Sequence, residues 1–335
     1  MAVQMTRRAL VALTAGFAML TAVPLTAAAE EVTIKVGWAT TDSETDAYAY
    51  AAREFKKILN EAKPGRFDVQ LFPNRQLGDE KEMVQGMQLG TVDAGLITNS
   101  IVGNVVPQFQ INDLPFLYVS SEQAHSTLDG AMGDKLFDLL AEKKMVGLSF
   151  CESGFRNMIN NKRPVSAPQD VEGVKYRVME SPIFIGMYNN LGGSAVPMAW
   201  GDVFTAVQQG AVDGLEIPTW VIDAAKLYEV TEYLSLTKHV YTATPFIMSE
   251  RLFGSLPEDE QTLVKEAAQT ACERQRAFNA EQEQAIIAKL QENGMEVNEV
   301  GDPKSFQAKM QPVYDEYRPK IGDEFMDAWM ESLNN

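Results

Sequence analysis

The chain has 335 residues, enough for about two domains with real hydrophobic cores. Its 29 basic against 46 acidic residues give a net charge of −17, which excludes a nucleic-acid surface or an anionic membrane surface. Two histidines (His125, His239) and two distant cysteines (Cys151, Cys272) exclude a Cys/His zinc site, while 45% hydrophobic and 22% charged residues describe a globular chain.

Arg7 and Arg8 precede an apolar stretch from Ala9 to about Leu25, and Ala27-Ala28-Ala29 supplies the small residues of a cleavage site. Residues 1–29 therefore read as a signal peptide for the general secretory route, placing the mature chain in the periplasm; Thr6-Arg7-Arg8 is only a loose twin-arginine signal. Cleavage leaves 27 basic and 46 acidic residues, a net charge of −19, and no direct membrane insertion of the mature chain is expected. An oxidising compartment permits a disulfide, but nothing in the sequence brings Cys151 to Cys272, so two buried free thiols are the expectation.

Along the mature chain, Val32 to Trp38 alternates as a strand, and a loop from Ala39 to Glu44 leads into a helix starting near Thr45 or Asp46. Phe67 to Phe72 reads as a strand, Asp79 to Leu89 as a helix ended by Gly90, and Val92 to Thr98 as a strand. Leu136 to Leu140 sits on an amphipathic helix, followed by strands at Met145 to Phe150, Arg156 to Ile159 and Val174 to Val178. A helix from Ser181 to Leu191, a strand around Ala195 to Met198 and a helix from Gly201 to Gln209 complete an α/β alternation. The halves echo each other: Gln88-Leu89-Gly90-Thr91-Val92-Asp93 has the pattern of Gln208-Gln209-Gly210-Ala211-Val212-Asp213, as two similarly built lobes would. From Pro257, an apolar stripe at helical spacing continues to Asn293-Gly294, about 36 residues or roughly 54 Å, long enough to span both lobes.

Several apparent motifs dissolve on their spacing. Gly147-Leu148-Ser149-Phe150-Cys151 lacks the last glycine of a nucleophile elbow and lies inside a strand. Gly192-Gly193 follows a helix, whereas dinucleotide glycines lie between a strand and the helix it opens. Asp79-Glu80-Lys81-Glu82 and Glu258-Asp259-Glu260 suit helix starts rather than calcium loops. Arg177 is more informative, because it ends an apolar strand and precedes a loop into a helix, where open α/β sheets bind ligands. A guanidinium presents a planar fork to a carboxylate and stays charged away from water. Arg156, beside Gly154, and Trp200, at a strand-to-helix junction, are further candidates.

These residues carry a family resemblance. Gly154-Phe155-Arg156-Asn157, Val171 through Val178, Pro197-Met198-Ala199-Trp200-Gly201-Asp202 and Ala206 through Gly214 together resemble DctP-type solute-binding proteins of tripartite ATP-independent periplasmic (TRAP) transporters. Gln76-Leu77-Gly78, Leu114-Pro115-Phe116, Leu227-Tyr228-Glu229-Val230 and the long late helix extend the match along nearly the whole mature chain. The resemblance implies a two-lobed α/β periplasmic binding fold: lobe 1 over 30–152, lobe 2 over 153–245, and crossing and helical segments over 246–335. It implies capture of a small organic anion, a carboxylate or a sulfonate, and its delivery to small DctQ-type and large DctM-type membrane subunits. A monomer without cofactor, metal or catalytic residues is expected.

Carried over by position, Arg177 matches the arginine that pairs with the ligand carboxylate, Arg156 an assisting arginine, and Trp200 a pocket aromatic. Thr98, Asn99 and Glu80 fall at or near first-lobe pocket positions. The family's Glu-Asn-Pro is here Glu216-Ile217-Pro218, and isoleucine offers no hydrogen bond to the acid. Asp46 stands where many members have histidine. With Trp200 and Trp220 nearby, Ile217 points to an aromatic or sparsely hydroxylated ligand. The alternatives are the binding component of an ATP-driven (ABC) importer and a periplasmic enzyme using Glu216 as general base.

Overall fold

The computed structural model describes residues 31–333, so the expected signal peptide lies outside the described residues. In Val32–Gly37 (β1), Ile34 and Val36 point into the core between exposed Thr33 and Lys35. Ala47–Ala62 (α1) begins one residue later than expected, because the Asp46 carboxylate accepts from the Tyr48 and Ala49 amides at 3.0 Å and caps it. Phe67–Phe72 (β2), Glu80–Leu89 (α2), Ala94–Leu96 (β3), Asn99–Val102 (α3), Ser121–Leu128 (α4) and Ala131–Ala141 (α5) follow.

Two of the expected strands merge: Met145–Asn160 (β4) is continuous over 16 residues. Gly154, at φ +88°, sits at a register shift and bends the strand without ending it. Lys175–Val178 (β5), Pro182–Asn190 (α6), Ser194–Pro197 (β6), Val203–Gln208 (α7), Gly214–Ile217 (β7) and Thr219–Ala224 (α8) form the second series. The 17-residue Tyr233–Ser249 (β8) was not anticipated as a strand; buried on both faces, it has no polar alternation to announce it. Glu250–Phe253 (α9), Glu258–Glu292 (α10), Glu296–Glu299 (β9), Pro303–Gln307 (α11), Gln311–Ile321 (α12) and Asp323–Ser332 (α13) complete the described chain.

All strands belong to one sheet in the order β2-β1-β3-β8-β4-β7-β5-β6, with β9 on β8. The outer pairs are parallel, whereas the long β4 and β8 run antiparallel through its middle. Alternate residues of β4 feed two cores: Met145, Phe150 and Met158 join α4, α5 and α6, while Leu148, Cys151 and Ile159 join α1, α8 and α10. The sequence echo has a physical basis. The Asp93 carboxylate accepts from the Lys35 amide of β1 at 2.9 Å, and the Asp213 carboxylate accepts from the Lys175 amide of β5 at 2.9 Å. Each half thus ties a helix-glycine-strand corner to the start of its parallel neighbour.

α10 is 35 residues long, about 52 Å. Its first turn pairs with Lys63 and Arg66 near α1, and Lys289 near its end pairs with Asp223 of α8. Midway, Cys272 is bonded to Cys151 of β4, with Cα atoms 4.5 Å apart. The expectation of two free thiols is therefore wrong: β4 and α10 cross at this point, bringing together cysteines 121 residues apart.

Candidate functional site

The carboxyl ends of parallel strands from both halves face one cleft, the position at which open α/β sheets bind ligands. β1 leads to Ala39 and Thr40, β3 to Thr98, β5 to Arg177 and Met179, and β7 to Ile217; these residues line one cavity. Glu80, the first residue of α2, is buried, and its Oε1 accepts from the Thr98 amide and hydroxyl at 2.6 Å each. Burial raises the Glu80 pKa, opposed by the Thr98 hydrogen bonds and more weakly by Arg177 and Arg156.

The two arginines are both buried but differ in what they hold. Arg156 is fully engaged: Nε pairs with the Glu216 carboxylate, Nη2 donates to the Glu216 carbonyl at 2.8 Å, and Nη1 donates to Thr242 Oγ1 at 3.3 Å. Desolvation raises the pKa of Glu216, and Arg156 opposes it. In Arg177, Nε and Nη2 donate to the Met198 carbonyl at 2.9 and 2.6 Å, while Nη1 meets only the Met179 sulfur at 3.6 Å. Among the described residues Arg177 forms no ion pair. Desolvation lowers its pKa to about 10, so it remains a cation at neutral pH. A cation so placed is set to receive an anion.

The cavity between the halves has a volume of about 30 Å³, room for about two waters. A second space of about 20 Å³ shares Glu80, Arg177, Met179 and Trp200 with it. Contacts between the halves close the cleft: Ser181 Oγ donates to Asp113 at 3.0 Å, and Asn104 Nδ2 donates to the Glu180 carbonyl at 2.8 Å. At Gly201 a Cβ would lie 1.7 Å from Arg75 Nη1, so only glycine lets that side chain lie there.

Of the residues singled out from sequence, Arg177, Arg156, Trp200, Thr98, Glu80 and Ile217 line this cavity. Glu216 stands behind it, paired with Arg156. Asn99 does not line it; its amide donates to the Phe109 carbonyl and Asp113 and accepts from Asn112. Trp220 also stands behind the wall, its Nε1 donating to the Ser153 carbonyl at 2.8 Å and its ring edge-on to Tyr48 at 5.2 Å. Asp46 is spent as the α1 cap and does not line the cavity. Sequence reasoning missed Tyr48, Thr40, Ser153, Met179 and Val221. Only Ser153 carried a signal, beside the Gly154 that precedes Arg156.

Residues 38–320 match bacterial extracellular solute-binding protein, family 7 (DctP). The chain is similar to a solute-binding protein of Verminephrobacter eiseniae, 36% identical over 295 residues and 88% of each chain. It is similar in structure to a TRAP periplasmic solute-binding protein of Polaromonas bound to D-erythronate, with TM-score 0.86, 36% identity and coverage of 90% of this chain and 98% of that one. It is also similar to the sugar acid binding protein of Advenella mimigardefordensis in complex with galactonate, with TM-score 0.88, 29% identity and coverage of 92% and 99%. The mixed sheet and long α10 follow the two-lobed plan of these proteins.

Proposed function

The chain belongs to family 7 of the bacterial extracellular solute-binding proteins, and from that premise we propose that it captures a small hydroxylated monocarboxylate on Arg177 and delivers it to TRAP membrane subunits. The family and its structural neighbours are ligand-binding transport proteins rather than enzymes, and Glu216, the residue a general base would have required, is held by Arg156. One observation carries the reading. Arg177 is 1% exposed, is a cation, and lines the cavity without a carboxylate partner, whereas Arg156 is paired with Glu216. A ligand carboxylate supplies the missing charge, and burial strengthens that pair.

The chemistry of the wall favours hydroxyls on the ligand body. Tyr48, Thr40, Ser153, Glu80 and Thr98 supply polar groups, against Ile217, Met179 and Val221 on the apolar side. The sparsely hydroxylated ligand suggested by sequence leaned partly on Trp220, which stands behind the wall. The acids held by the Polaromonas and Advenella proteins, D-erythronate and galactonate, are of the proposed class. Export through a cleaved leader of residues 1–29 and a working site in the periplasm belong to the same reading, and the Cys151–Cys272 disulfide suits that compartment.

Calorimetry with D-erythronate and a panel of related acids and sulfonates tests it. Arg177→Ala should cost about 2 to 5 kcal/mol of binding, as for removal of one partner of a buried charge pair. Unchanged affinity would sink the assignment.

A further inference from the structure

At about 30 Å³ the cavity in this closed cleft is smaller than a four-carbon acid, so filling the site takes a reopened cleft, a yielding wall, or both. The charged part of the wall is pinned. Arg177 is held twice by the Met198 carbonyl, Arg156 by Glu216 and Thr242, and Glu80 by two hydrogen bonds from Thr98. One side differs. Tyr48 is tethered at its hydroxyl only to Thr244, at 3.0 Å, and its ring leans on the edge of Trp220. Trp220 is fixed in turn by its Nε1 bond to the Ser153 carbonyl, and Ser153 belongs to the same wall.

Behind this pair lies open space. A cavity of about 230 Å³ is bounded by Trp220, Ser153, Phe155, His125, Asn279 and Ala280. It shares Ser153 with the ligand cavity, and Trp220 stands between the two. The register shift between Glu152 and Gly154 leaves Ser153 out of the regular β4–β8 pairing at this level. A packed interior transmits strain when it has nowhere to move, whereas a groove open to solvent beside a tryptophan gives that ring somewhere to go.

We propose that Trp220 is a positioning residue that sets the length of acid the site admits. The rear cavity is reserve volume into which the Trp220, Tyr48 and Ser153 wall retreats when a longer acid binds. Short acids need little of that volume and long acids need much of it. The proposal rests on the monocarboxylate reading above and adds to it a residue and a space that touch no carboxylate.

The test compares dissociation constants for D-erythronate (four carbons) and galactonate (six carbons) by calorimetry. Ala280 is an exposed position on α10, so Ala280→Trp plugs the rear cavity from its rim without threatening the core. It should weaken galactonate at least tenfold relative to erythronate. Trp220→Phe keeps a ring in place but removes the bond to Ser153, and should move the same ratio at least threefold toward galactonate. A thermal melt of each variant confirms folding. A ratio within threefold of wild type for Ala280→Trp, with both acids weakened alike or neither affected, overturns the proposal, as does an unmoved ratio for Trp220→Phe. Wild-type protein that binds neither acid refutes the ligand reading itself, and this proposal with it. Wild-type binding with unmoved ratios refutes this proposal alone.

Discussion

Two buried charged clusters, one around Glu152 of β4 and one around Arg177 of β5, are built on opposite principles. Around Glu152 the carboxylate and backbone are partnered within the fold: Oε2 meets His125 Nε2 and the Tyr241 hydroxyl at 2.7 Å each, Oε1 accepts from Asn279 at 3.1 Å, and the backbone exchanges two bonds with Gln275 of α10. Arg276 beside it donates to both Asp129 oxygens and to the Phe150 carbonyl. With the disulfide, this cluster staples the long helix to the crossing strand. Around Arg177 the arrangement is incomplete, with one guanidinium nitrogen facing only sulfur. Both clusters cost desolvation, but only the first offsets it with ion pairs within the described residues.

Substitutions should break this contrast in order of size. Arg156→Ala strands Glu216, a carboxylate that is fully buried, and should cost about 3 to 5 kcal/mol of stability in denaturant unfolding. A loss below 1 kcal/mol would mean that Glu216 is neutral and needs no partner. Replacing Cys151 and Cys272 together by alanine reopens a long loop in the unfolded chain, at about 2 to 4 kcal/mol, with acid affinity retained. Loss of affinity in that variant would place the staple in the binding machinery. Arg177→Ala should cost roughly 3 kcal/mol of stability or less, from orphaning the Met198 carbonyl, yet abolish most binding. Stability and affinity thus separate in opposite senses: removing the staple costs stability and spares affinity, whereas removing Arg177 costs affinity above all.

Much of the Arg177 side of this contrast is legible in the sequence. Its place at the end of an apolar strand marks Arg177 as a candidate and the family resemblance supplies its ligand-pairing role, while Gly90 and Gly210 read as helix stops. Both glycines do hold positive φ. The staple was invisible, since its parts lie at 125, 152, 241 and 275 and meet only where β4, β8 and α10 cross. β8 itself was missed because a strand buried on both faces carries no period of two. Trp220 was placed on the wrong side of the wall for a related reason: on a six-residue helix, packing decides which way the ring turns.

The smallest effect tests burial without a cation. Asp46 is fully buried and, among the described residues, forms no ion pair; its carboxylate caps α1 and accepts from Thr41. Desolvation raises its pKa from 3.8 to about 6 against those hydrogen bonds. The folded state therefore holds this proton more tightly than the unfolded chain. The stability it contributes is fully present below pH 3.8 and is lost as pH rises through 6. Asp113, also raised to about 6, adds to that decline, while His239, lowered to about 3, acts in the opposite sense. Asp46→Asn keeps an oxygen for the cap but cannot ionise. The other two groups titrate alike in variant and wild type, so they cancel in the difference. Between pH 4 and 7 the stability of the variant relative to wild type should rise by on the order of 2 kcal/mol. A difference that is flat with pH would show that the amides of Tyr48 and Ala49 offset the full cost of burying this charge.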